Sequence, residues 1–164
     1  MHYLVLKLLH VTAVVMFLGN ISTGIFWKHH ADRTRDPRLI ASMMEGIIRS
    51  DRLFTIPGVL LIIVAGIAAA MMGHYPLLRT GWILWALVLF ALSGWAFMAQ
   101  VAPLQRRLLA VARDGAAGTD TGWWARYEEL SHHWDLWGAV ALVLPIVAMV
   151  LMILKPVLPA IHRS

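Results

Sequence analysis

Two ionisable residues interrupt the apolar run "LVLKLLHVTAVVMFLGN": Lys7 and His10, one helical turn apart. A neutral imidazole offers one donor and one acceptor, or a nitrogen lone pair for a metal. Ionisable groups below the headgroups are costly and turn towards a partner in the bundle interior. At 1.5 Å per residue His10 lies about 10 Å along the axis from Tyr3, so this applies to it. Two readings are open. His10 bonds a polar group on a neighbouring helix, or it is an axial ligand to haem iron. Lys7 can snorkel to water or a lipid phosphate, and beside a haem it would suit an anionic propionate.

Lys7, His10, Val14, Leu18 and Ile21 form one stripe of a helix. Counting to equal depth, the level of His10 meets Gly66 in the second apolar segment, Val88 and Leu89 in the third, and Met149 in the fourth. The run "AGIAAAMMG" gathers Ala65, Gly66, Ala68, Ala69 and Ala70. Small residues there admit either a closely packed helix, through Gly66 and Ala70, or a flat macrocycle. Met149 is placed to complete His/Met ligation or to fill core space, and five-coordinate iron is also open.

A second constellation is "MMGH": Met71, Met72 and His74 bring two thioethers and an imidazole to one helix end, a donor set that suits Cu(I). The adjacent pairs His29/His30 and His132/His133 do not share a helix face and are read as solvated loop residues. Asn20 is expected to find Thr55 or the carbonyl freed by Pro57. Ser50 or Asp51 is read as a helix N-cap, with Arg52 pairing Asp51 or a phospholipid. Pro145 should kink the last span. No Ser/His/Asp arrangement, phosphate-cradling glycine loop or intramembrane pair of carboxylates supports a hydrolase or a kinase.

These residues need elements to hold them. The chain is 60% hydrophobic and 14% charged, with mean hydropathy +0.70, which points to a membrane protein. It has no cysteine, so disulfides, thiolate metal sites and cysteine nucleophiles are excluded. Four segments reach the roughly 20 apolar residues that a span requires: 3–27, 53–72, 81–101 and 136–154. The expected fold is all-α, an integral membrane four-helix bundle in one transmembrane domain. The first run lacks a basic n-region and ends in "FWKHHADR", so it is expected to stay as a span.

Ten of the 14 Lys and Arg residues fall in the first and third connections. That asymmetry places those connections in the cytoplasm and both termini outside. Trp82 and Trp85 would mark the outer rim, and Trp27, Trp134 and Trp137 the inner one. The stretch "DPRLIASMMEGIIRSDRLF" spaces its apolar residues as a short interfacial helix feeding the second span. "TGWWARYEELSHHWDLWG" reads as a helix running into the fourth, and "RDGAAGTDTG" as a loop.

The runs "LVLKLLHVTAVVMFLGNISTGIFWKHHADRTRDP", "DRLFTIPGVLLIIVAG", "LRTGWILWALVLFALSGWAF", "VAPLQRRLL" and "WDLWGAVALVLPIVAMVLMILKP" resemble a bacterial group of uncharacterised predicted integral membrane proteins. The pattern "LKLLH" followed by an apolar run and "FWKHHA" is also similar, more distantly, to the first span of HemJ-type protoporphyrinogen oxidases, and more weakly to copper-resistance D-type proteins. The HemJ resemblance implies four spans, haem b, and His10 as a haem ligand. The chain departs from that pattern in span three, where Gly81–Val101 carries neither the His nor the Lys of those enzymes. The expectation is a b-type haem protein of the bacterial inner membrane, exchanging electrons with a quinone or small oxidant. Porphyrin is a further candidate ligand, and so small a bundle is compatible with a homodimer. The alternatives are copper handling at Met71, Met72 and His74, or a cofactor-free assembly subunit.

Overall fold

A computed structural model describes residues 1–161, and its regular structure among them is helical. Helix α1 covers His2–Asp32. Helix α2, Pro37–Ser50, runs through a π-helical turn at Asp51–Thr55 into α3, Ile56–Met72. Helix α4, Gly81–Ala96, continues through a second π turn at Phe97–Val101 into α5, Ala102–Ala116, and α6 covers Trp123–Leu154. Four continuous helices long and apolar enough to cross a membrane result: His2–Asp32, Pro37–Met72, Gly81–Ala116 and Trp123–Leu154.

Each helix overruns its expected span, and all four do so towards the end that holds the basic connections. The 36-residue helices measure about 54 Å, against a hydrocarbon core of about 30 Å. The stretch expected as an interfacial helix is therefore the projecting end of the second helix. The cap expected at Ser50 or Asp51 is overturned. The helix starts instead at Asp36, whose carboxylate accepts from Arg38 N at 2.9 Å, with Pro37 in the first turn. The chain stays helical past Asp51 because the turn that begins there, ahead of Pro57, widens. Pro57 and Pro103 each fall six residues after the start of a π turn, at Asp51 and Phe97. A proline lacks its N–H and collides with the carbonyl four residues back, and a wider turn relieves both problems.

The described packing is uneven along the bundle. In the basic half, Ala31, Ile40, Met44, Leu108, Ala112, Tyr127 and Trp134 form a close-packed core from α1, α2, α5 and α6. Beyond the lipid, apolar burial is rewarded by water; inside lipid that drive is missing. The far half accordingly resolves into two helix pairs, α1 on α3 and α4 on α6. Consecutive α3 and α4 make no close backbone approach among the described residues. A smaller cluster of Ala13, Phe17 and Ile62 holds α1 to α3, and the Phe17 ring meets Phe90 of α4 at 5.8 Å between centroids. Leu4, Leu8, Val64, Leu92 and Ile153 are exposed, as lipid-facing side chains must be. Trp134, expected at the inner rim, is instead buried in the basic-half core.

Candidate functional site

His10 lies on the face of α1 that packs against α3. Its Nδ1 is 2.8 Å from the Ile62 carbonyl oxygen. A carbonyl only accepts, so Nδ1 carries the hydrogen and, in the neutral ring, Nε2 keeps its lone pair. The interhelical hydrogen bond, one of the two sequence-based readings, is thus present. Gly66 makes the approach possible: a Cβ at that position would stand 2.8 Å from His10 Cε1 and Nδ1. Equal-depth counting had matched these same two residues. A backbone-anchored imidazole with its second nitrogen free is also the arrangement that orients a metal-ligating histidine.

The other candidate ligands are dispersed. Lys7 is exposed, one turn nearer the N-terminus. Met149 is half-buried on α6, in the other helix pair. Met71 and Met72 are both exposed, and consecutive residues on a helix point about 100° apart. His74 follows in a turn with φ +57°, its backbone N–H bonded to Met71 O at 3.1 Å. No group of three His, Asp or Glu side chains gathers around a metal-sized space among the described residues.

Two polar networks stand out that sequence reasoning missed wholly or in part. In the first, Asn20 Nδ2 donates to Thr55 Oγ1 at 2.9 Å, as expected, and also to Asp51 Oδ1 at 3.1 Å. Thr55 donates to Asp51 Oδ1 at 2.8 Å, Gln105 Nε2 to Asp51 Oδ2 at 2.8 Å, and Ser50 Oγ to Asn20 Oδ1. Asp51 is therefore an interior hub joining α1, the first π turn and α5. It is not the helix cap or ion-pair partner of Arg52 that its sequence position suggested.

The second network centres on Lys28, which is 1% exposed. Its ammonium donates to Asp32 Oδ2 at 2.7 Å, Ser131 Oγ at 2.6 Å and Asp135 Oδ1 at 3.1 Å, and lies 5.0 Å from the centre of a Trp134 ring. Tyr127 donates to Asp32 Oδ1 at 2.6 Å. All three ammonium hydrogens find acceptors, which is how a lysine is tolerated inside. The pairs Lys28/Asp32, at the C-terminal end of α1, and Ser131/Asp135, in the N-terminal half of α6, are each four residues apart at the same end of the bundle. That spacing was the available signal. Beside the network a pocket of about 390 Å³ opens, bordered by His29, Arg33, Arg35, Trp124 and His132. His29, His30, His132 and His133 lie on helices, not in the loops expected for them.

The chain's residues 4–156 match the model of a family described as "Predicted integral membrane protein (DUF2269)". No curated protein and no solved structure matches the chain.

Proposed function

The chain belongs to this family of predicted integral membrane proteins, and we propose that it is a membrane b-type haem protein with His10 Nε2 as iron ligand. The observation that carries the reading is the Nδ1 bond to Ile62 O at 2.8 Å, which fixes the ring and leaves Nε2 available. Gly66 gives the imidazole its place against α3, and exposed Lys7 can reach an anionic propionate from one turn away. When bound, haem would supply a one-electron couple, with a membrane quinone or small oxidant as partner. The protein's part is to hold the ligand nitrogen at depth, orient it and shield it from water. The resemblance of "LKLLH…FWKHHA" to HemJ-type first spans supports the same assignment. Met149 would be the candidate for a second protein ligand to the iron.

The charge asymmetry supports placing the basic end in the cytoplasm and both termini outside a bacterial inner membrane. The experiment is a visible spectrum of detergent-purified protein, air-oxidised and then dithionite-reduced, after expression with added haemin. A Soret band that shifts on reduction is expected. A second reading has one observation in its favour, the same Ile62 bond: His10 then serves only to join α1 to α3, and the folded protein is colourless.

A further inference from the structure

The carboxylate of Asp51 is 8% exposed, at the first residue of the π turn within the helix Pro37–Met72. Met72 lies 21 residues further on, about 31 Å along the axis, so Asp51 sits at the edge of the hydrocarbon core. An ionisable group at this depth is expected to have a partner and a task. Its three hydrogen-bonding neighbours, Asn20, Thr55 and Gln105, are all neutral. No Lys, Arg or His makes an ion pair with it among the described residues. Arg49, Arg52 and Arg106 are exposed, while Lys28 is engaged by Asp32 and Asp135.

A carboxylate presents about four lone-pair sites. Asn20 and Thr55 take two on Oδ1, and Gln105 takes one on Oδ2. One site on Oδ2 is left. Asp51 borders a cavity of about 30 Å³ whose lining includes Asn20, Ser50, Gln105 and Trp134. That space exceeds the roughly 10–15 Å³ needed for a water. Both π turns contribute to the lining, through Asp51 on one and Phe97 and Val101 on the other. Such turns are frequent at functional sites.

We propose that this cavity is a proton-binding site, in which Asp51 Oδ2 takes the proton from a water held in the cavity. A metal cation does not suit the same position, because two of the three neighbouring groups are amide N–H donors that turn positive ends towards the carboxylate. The proton arrives on a hydronium in the cavity. One O–H bond breaks on the hydronium and one forms at Oδ2, leaving a neutral water in the cavity. The site is independent of the haem assignment, and its test does not use haem.

Infrared spectroscopy of the full-length protein in lipid films, recorded from acid to alkaline pH, reads the site directly. The wild type is expected to show a protonated-carboxyl C=O band at neutral pH that shifts in D2O and is lost in Asp51→Asn. Thr55→Val keeps Asp51 but removes a donor to Oδ1, the carbonyl oxygen when Oδ2 holds the proton, and should move the band to higher frequency. If Asp51→Asn does not fold, the Thr55→Val shift decides. Absence of the band from folded wild type at neutral pH would overturn the proposal, as would a band that neither substitution alters.

Discussion

The imidazole of His10 occupies the space that a side chain on Gly66 would need. A Cβ at position 66 would come within 2.8 Å of two ring atoms, closer than such contacts are tolerated. The same edge of the ring is tied to α3 by the Nδ1 bond to Ile62 O, so retreat from a side chain at position 66 would break that bond. Gly66→Ala should therefore loosen the α1–α3 pair by about 1–3 kcal/mol, the usual cost of overpacking. Unfolding in detergent measures this. Full stability with an unchanged His10 environment would show that the ring yields freely.

Lys28 is held between two carboxylates with almost no exposure to water. Removing it strands two neighbouring carboxylates that are 16% and 31% exposed, a loss that solvent screening keeps below the roughly 3–5 kcal/mol of a fully buried pair. Lys28→Met is expected to lower the unfolding midpoint accordingly. Adding Asp32→Asn and Asp135→Asn should recover part of the loss, because the stranded charges disappear with them. Additive losses across the three substitutions would contradict this account of the network.

At the far end, the chain after α6 turns back over the 73–82 region. Ile161 N bonds Leu78 O at 3.1 Å, Trp85 Nε1 bonds Pro159 O at 3.1 Å, and the Leu158 carbonyl lies against the position of a Cβ on Gly81. Gly81→Val has no room beside that carbonyl. It should release the tail and speed amide hydrogen exchange at Ile161, whose N–H bonds Leu78 O, while the basic half keeps its stability. An exchange rate equal to wild type would mean that the tail is not held by this contact.

The chain has no cysteine, so single introduced cysteines report orientation without background. In intact cells, His74→Cys should react with a membrane-impermeant maleimide, and Thr119→Cys only after lysis. The reverse pattern would place the basic connections outside, against the Lys and Arg asymmetry.

The four spans were legible because length and apolar continuity are local properties of the sequence. Depth counting also matched His10 to Gly66, since antiparallel neighbours in a membrane share one scale of rise. Thr55 is one of the two partners expected for Asn20, on the ground that a buried amide must find one. Asp51 was misjudged because an acid before an apolar run has the signature of an N-cap. Nothing local announces that a π turn ahead of Pro57 will carry the helix through. Its bond to Gln105 and the Lys28–Asp135 bond join residues 54 and 107 positions apart, a relation set by how the projecting helix ends pack. Trp134 looked like an interfacial anchor and is core, because that end of the bundle builds its own interior beyond the lipid.

The most direct measurement of the haem assignment is a haemin titration of three preparations: wild type, His10→Ala, and His10→Ala with added imidazole. The account expects saturation near one haemin per chain in wild type, loss of the Soret shift in His10→Ala, and its return when free imidazole fills the vacated place. A wild type that takes up no haemin, or a His10→Ala protein that takes it up equally well, would contradict it.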